Sequence, residues 1–349
     1  MRRPPWYARN PHVQTLWGRF ARTPAPVVTT RETWVTPDGD DVGVIRAGAS
    51  HTDAPRLVLF HGLEGTGRSH YVPALFREAV ARGWGADLLL WRSCNGRNNT
   101  APRFYHSGET GDAAWFLHRL AHEHPGAPLL ACGVSLGGNV LTKLVGDPLV
   151  PLPPTLRAAA GVSVPFDLAR GSRRIGTGLS RVYEQWFLRS LRRKALEKAA
   201  RYPDLFPAPQ RIARIRTLWE FDDIITGPLH GFADAADYYT RSSARHFIRG
   251  ARIPLLLLSA IDDPFLPAEV LDDVREEARH NALVELEVSP FGGHVGFVTG
   301  ADSGGTRSYL ADRVPAFLSR FVLPHHRADE TVTRCAPVPP VVHPPAANA

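Results

Sequence analysis

Cysteine is scarce in this chain. Its 349 residues hold three, Cys94, Cys132 and Cys335, far apart and without Cys-x-x-Cys spacing. That excludes a disulfide framework and a thiolate zinc site. Cys132 falls in an apolar run and reads as a small core residue, Cys94 in a polar loop, Cys335 in a proline-rich tail. No apolar stretch approaches the roughly 18 residues of a membrane span. Met1-Arg2-Arg3-Pro4-Pro5-Trp6 carries charge with no apolar segment, so no secretory signal is visible and a soluble cytoplasmic protein is expected. Lysine is scarce beside arginine. With Arg, Ala and Pro abundant, the formal net charge of +7 reads as a basic proteome background, and no nucleic-acid partner is expected. No cofactor is expected either. Gly62, Gly65 and Gly67 lack a following Gly-Lys-Ser/Thr and do not form the dinucleotide fingerprint. Asp222 and Asp223 have no spaced His or carboxylate partners for a metal.

What the chain does have is alternation. Residues 1–26, rich in Pro, Arg and aromatics, read as a segment wrapping the surface. Glu32 to Thr36 and Val42 to Arg46 flank Pro37-Asp38-Gly39 as a hairpin. Buried strands are then expected at Leu57 to Phe60, Ala86 to Trp91, Leu129 to Val134, Arg157 to Val162, Leu255 to Ser259 and Leu283 to Val288. Helices are expected at Tyr71 to Arg82, Asp112 to Glu123, Pro267 to His280 and Ser308 to Phe321. Such alternation implies an α/β fold: a mostly parallel, twisted sheet with helices on both faces. The whole domain spans 27–323. Residues 165–250 interrupt it with an amphipathic helical stretch, Leu179, Val182, Tyr183, Trp186, Phe187 and Leu191 on one face, Arg189, Arg192, Arg193, Lys194 and Lys198 following. It reads as a helical cap inserted over the carboxyl edge of the sheet. Residues 324–349 lack periodicity and are expected to be disordered.

The chemistry centres on Gly133-Val134-Ser135-Leu136-Gly137, between a buried strand and a helix. A serine on so sharp a turn projects its hydroxyl from the sheet's carboxyl end and makes Ser135 the candidate nucleophile. It needs a base, and the base needs an orienting carboxylate. Asp262-Asp263 follow the strand at Leu255 to Ser259; Asp263 is preferred over Asp262, against a plain helix-capping role. His294, bracketed by glycines after the strand at Leu283 to Val288, is the candidate base. The order Ser, Asp, His fits. Oxyanion donors are expected from the backbone N–H groups of Leu136 and, in His61-Gly62-Leu63-Glu64-Gly65, of Leu63.

These strings carry a resemblance. Asn10-Pro11-His12-Val13-Gln14-Thr15-Leu16-Trp17, His61-Gly62-Leu63-Glu64-Gly65, Tyr105-His106-Ser107-Gly108-Glu109-Thr110, Gly133-Val134-Ser135-Leu136-Gly137-Gly138-Asn139, Phe221-Asp222-Asp223 and Gly292-Gly293-His294-Val295-Gly296-Phe297 resemble the YheT-like branch of the α/β-hydrolase superfamily, also called AB hydrolase family 4. The resemblance covers residues 6–321. It implies an α/β-hydrolase fold, a triad on Ser135, Asp263 and His294, and hydrolysis of short- to medium-chain carboxylic esters without a cofactor. Arg92-Ser93-Cys94-Asn95-Gly96 departs from the family's Arg-Gly-Cys-Ser-Gly, in a loop expected to border the pocket. Ser107 or Thr110 is expected to cap the helix at Asp112, and Asp222-Asp223 to anchor the cap through backbone bonds.

The expectation is therefore a serine esterase acting on a small ester or lipid-like substrate. A thioesterase or acyltransferase would use the same triad. In a different class, the basic helix from Arg181 to Arg201 is a candidate contact for an anionic membrane surface, against a plain cap helix with a solvated basic side.

Overall fold

The computed structural model describes residues 4–20, 27–49, 51, 53–302 and 305–322. The hairpin forms as β1 (Thr29–Val35) and β2 (Asp41–Gly48), antiparallel, closed by Thr36 N–H to Asp40 O at 2.9 Å with Gly39 at φ 78°. The apolar runs become β3 (Arg56–Phe60), β4 (Gly85–Leu90), β5 (Leu129–Val134), β6 (Leu156–Val162), β7 (Leu255–Ala260) and β8 (Val284–Ser289). β3, β4, β5 and β7 are buried at every position, as strands covered on both faces must be. The sheet order is β1-β2-β4-β3-β5-β6-β7-β8, parallel from β4 onward.

The period-two geometry of β3 divides the core. Val58 and Phe60 face one side, packing with Phe116, Leu117 and Leu141; Leu57 and Leu59 face the other, with Leu75, Phe76 and Phe317. The helices supplying these layers are α1 (Pro11–Phe20), α2 (Tyr71–Ala81), α3 (Thr110–Glu123) and α4 (Leu136–Gly146), with Tyr309–Leu318 closing the second face. After β3 the chain steps to β4 on one side and then to β5 on the other. The crevice beyond the carboxyl ends of β3 and β5 is thus a topological switch point, where ligands bind in such sheets. α3 begins at Thr110, so its cap is Glu109, whose carboxylate accepts the N–H groups of Gly111 and Asp112; the expected caps Ser107 and Thr110 do not serve.

Between β6 and β7 the chain builds α5 (Leu168–Ile175), α6 (Arg181–Arg201) and shorter helices through Ala235–Ser242. Their own core contains Leu188, Leu191, Ala195, Ile212, Phe221 and Ile225. This corrects the expected faces of α6. Leu179, just before it, and Val182 are each 68% exposed, whereas Lys194 and Lys198 are buried. The reason is tertiary. Lys198 Nζ reaches Asn99 Oδ1 at 2.7 Å and the carbonyls of Ala101 and Arg103 at 2.5 and 2.9 Å, oxygens that no helical periodicity can foresee. Burial pulls this ammonium's pKa down to about 7. The expected disordered tail, residues 324–349, lies outside the described residues.

Candidate active site

Ser135 sits at the turn from β5 into α4 with φ 54° and ψ −121°, a conformation rare outside glycine. Its N–H donates to Val162 O at 2.8 Å, which holds the turn. Strand and helix pass so close that a Cβ on Gly133 would stand 2.2 Å from Gly137 O, and one on Gly137 2.2 Å from Phe60 O. The glycines are therefore required by contact.

Two 2.9 Å contacts then join three elements. His294 Nε2 lies 2.9 Å from Ser135 Oγ, and His294 Nδ1 lies 2.9 Å from Asp263 Oδ2. A carboxylate can only accept, so Nδ1 carries the proton and Nε2 turns its lone pair to the hydroxyl. The other Asp263 oxygen accepts the Phe265 N–H at 2.8 Å. Asp262 does different work: its Oδ1 accepts the Gly293 N–H at 2.8 Å and braces the histidine loop. The phenyl ring of Phe265 lies over the imidazole with centroids 4.2 Å apart. α1 packs beneath the same loop. Thr15 Oγ1 accepts the His294 N–H at 2.9 Å, and a Cβ on Gly293 would meet Pro11 O at 2.5 Å. The amino-terminal segment thus supports the histidine loop, which the reading of a wrapping segment missed; the polar pair Gln14-Thr15 between Val13 and Leu16 was a signal.

The loop after β3 can be accounted for donor by donor. Gly62 N–H donates to Tyr71 Oη at 3.1 Å, Glu64 N–H to Tyr105 Oη at 2.8 Å, and Gly65 N–H to Gly62 O at 3.0 Å. The Leu63 N–H has no partner among the described residues. Neither does that of Leu136, at the first position of α4, where helical N–H groups are orphans. Both residues line the same cavity as Ser135 and His294. His61 props the loop: its Nδ1–H meets Gly62 O at 2.7 Å while Nε2 accepts the Trp91 N–H. Burial lowers its pKa to about 4, so it is a neutral strut.

Sequence reasoning passed over Glu64. It has φ 55°, and its carboxylate accepts from Tyr105 Oη at 2.9 Å, Lys194 Nζ at 2.7 Å and Ser190 Oγ. α6 is thereby fastened to the residue that follows Leu63. A lone carboxylate inside an apolar, glycine-rich loop was the available signal. Asn139, also passed over, donates to Ser107 O and Ser242 O and accepts the Ala244 N–H, linking α4 to the insertion.

The cavity is about 140 Å3, walled by loop ends of the sheet on one side and by α5, α6 and Leu218–Phe221 on the other. The loop at Ser93 does not line it, contrary to expectation. Ser93 is buried at φ 63°, its Oγ donating to Asn99 Oδ1 at 2.5 Å, a side-chain bond that supports a left-handed position where glycine is common. Cys94, in the same loop as expected, is buried, and burial pushes its thiol up to about 12. Asp223 accepts the Ala235 N–H at 3.1 Å as a backbone anchor, but Asp222 bonds side chains instead.

Among the described residues, His106, Glu109 and His230 bring possible metal-binding atoms within 4.8 Å of one another. Their chemistry does not suit a cation. His106 Nδ1 accepts the Gly108 N–H at 3.1 Å, so its Nε2 carries the proton and faces Glu109 with an N–H at 3.7 Å. Glu109 is held by Arg103.

A family model described as the alpha/beta hydrolase fold matches residues 55–301. YheT of Escherichia coli (strain K12) is 38% identical over 90% of this chain and 91% of its own. Phospholipase ABHD3 of Mus musculus is 28% identical, covering 84% of this chain and 72% of its own. Among solved structures, the Pyrococcus furiosus esterase Pf2001 superposes with a TM-score of 0.54 at 14% identity, over 92% of this chain and 100% of its own, a likeness of fold alone.

Proposed function

The chain belongs to the α/β-hydrolase family, in its YheT-like branch, and from that membership we propose that it is a serine hydrolase of carboxylic esters, of short to medium acyl length, working through an acyl-enzyme. The observation that carries the reading is the unbroken line Ser135 Oγ, His294 Nε2, His294 Nδ1, Asp263 Oδ2, with both intervals at 2.9 Å.

In this reading Ser135 Oγ attacks the ester carbonyl carbon as its proton passes to His294 Nε2. The carbonyl oxygen becomes an oxyanion facing the Leu63 and Leu136 N–H groups. Asp263 keeps the imidazole in the tautomer that can accept and stabilises the imidazolium. His294 then protonates the leaving alcohol as the tetrahedral intermediate collapses to the acyl-enzyme. Water, deprotonated by the same nitrogen, attacks the acyl carbon; Ser135 regains its proton and the carboxylic acid leaves. Neither a metal nor an organic cofactor enters these steps.

The test is Ser135→Ala assayed on p-nitrophenyl acetate and butyrate. We expect a loss of about 10^4- to 10^6-fold in kcat; an unchanged rate would sink the proposal. Transfer of the acyl group to an added alcohol or thiol, in competition with water, separates esterase from acyltransferase, and a thioester series identifies a thioesterase.

A second reading is favoured by the exposed Leu179 and Val182 beside the exposed Arg181: weak docking of that face on an anionic membrane. Co-sedimentation with phosphatidylglycerol vesicles at low and high salt tests it. Salt-insensitive absence of binding would remove it.

A further inference from the structure

One carboxylate in the cavity has no part in this chemistry. Asp222 lines the same cavity as Ser135 and His294, on the wall the insertion builds. It opens a five-residue π-helical stretch, Asp222–Thr226, a local distortion found frequently at functional sites. Its Oδ1 accepts from Thr226 Oγ1 at 2.6 Å and its Oδ2 from Tyr239 Oη at 2.7 Å. Tyr239 has one hydroxyl proton and gives it to Asp222. Ser172, which also lines the cavity, therefore donates to Tyr239 Oη across their 3.1 Å contact.

No ion pair with Asp222 forms among the described residues, and desolvation outweighs its two hydroxyl bonds, raising its carboxyl to about 6. A carboxylate offers about four lone-pair positions, and these two bonds fill two. Around it the wall is apolar: Leu168, Ile175, Leu218 and Phe221. Keeping an uncompensated carboxylate in such a wall costs stability. Its two bonds tie Thr226 and Tyr239 together, but a neutral amide or hydroxyl could accept them, so they do not by themselves require a charge. By contrast, Glu64, the other carboxylate in the cavity, is fully engaged by Lys194, Tyr105 and Ser190.

We infer that Asp222, with Tyr239 and Ser172 behind it, is a subsite for a hydroxyl group on the substrate, so that the preferred esters carry a hydroxyl on the portion seated in this cavity. The inference rests on the ester-hydrolase reading above. A substrate hydroxyl donates to a free lone pair of Asp222, and the Ser172 hydroxyl, turning from Tyr239 Oη, donates to the substrate oxygen; a cation has no lone pair to accept that second bond. An ester lacking the hydroxyl leaves the carboxylate underbonded beside an apolar wall, which is how buried polar groups discriminate strongly between near-isosteric substrates.

The experiment compares kcat/KM for matched pairs. On the acyl side these are p-nitrophenyl hexanoate, its ω-hydroxy analogue and its ω-amino analogue. On the alcohol side they are butyl hexanoate and the butanediol monohexanoate. We expect the wild type to favour the hydroxylated member of at least one pair by about tenfold or more. Asp222→Leu should abolish the preference, read as the ratio of kcat/KM within each pair. Asp222→Asn, which keeps the size and one acceptor, should retain part of it and guards against a folding defect in the leucine variant. Equal rates within both pairs, a preference that survives Asp222→Leu, or a larger preference for the amino ester would overturn the inference. Labelling of Ser135 by a fluorophosphonate, with hydrolysis of the plain esters, shows separately whether the underlying hydrolase reading stands; without both, that reading fails first.

Discussion

Glu64 and Lys194 form a salt bridge of 2.7 Å with side chains only 7% and 10% exposed, between the loop after β3 and α6. A buried pair of this kind is costly to break, because the remaining partner keeps its charge without compensation. Lys194→Met should lower stability by about 3–5 kcal/mol in urea denaturation. Adding Glu64→Gln should restore much of that loss. The single variant should also reduce kcat on p-nitrophenyl butyrate more than it raises KM, and Lys194→Arg should retain most of the rate. A loss confined to KM would argue that the pair does not position the loop.

Asp262 and Asp263 are neighbours with separate tasks. Asp263→Asn presents an N–H or a neutral carbonyl to His294 and should cost about 10^4-fold in kcat. Asp262→Asn keeps an acceptor for the Gly293 N–H and should cost less than about tenfold, since a small misplacement of the histidine loop is all it introduces. Steady-state kinetics at one pH suffice, and equal losses would contradict the assignment.

Gly137→Ala places a methyl 2.2 Å from Phe60 O, and Gly133→Ala one 2.2 Å from Gly137 O. Both partners are backbone and cannot rotate away. Each variant should lose more than about 3 kcal/mol or fail to accumulate as folded protein. Gly231→Ala, with open space around its Cβ but φ 72°, should cost only about 1 kcal/mol. Thermal midpoints compare the three.

Asp222 gives a pH dependence with a definite sign. Its carboxyl is raised from 3.8 to about 6 by desolvation, so the folded protein holds the proton more tightly than the unfolded chain does. Its contribution is full below about pH 4 and is lost as pH rises through about 6, a loss of roughly 3 kcal/mol by pH 7. Urea unfolding of the wild type from pH 4 to 8 should show this decline, and Asp222→Asn should flatten it. Parallel curves for the two proteins would contradict the burial argument.

Much of this was written along the chain. Continuous apolar runs at residues 57–60, 129–134 and 255–260 can satisfy their burial only as strands covered on both faces, and Gly133-x-Ser135-x-Gly137 can follow one only as a sharp strand-to-helix turn. The order of Ser135, Asp263 and His294 after successive strands then limits where each can stand. Hydrophobic periodicity misjudged α6, however, because Lys194 and Lys198 are buried against oxygens contributed from positions near 64 and 99.

Local sequence thus determined what is set by near neighbours: strand and helix type, the strained serine turn, and the glycines that let backbones touch. The folded structure alone decided that Asp262 braces the histidine loop through Gly293, that Thr15 supports the histidine from 279 residues away, and that Glu64 is gripped by α6. Those outcomes depend on directions and distances of a few ångströms between segments remote in the chain, and the linear order of residues carries no record of either.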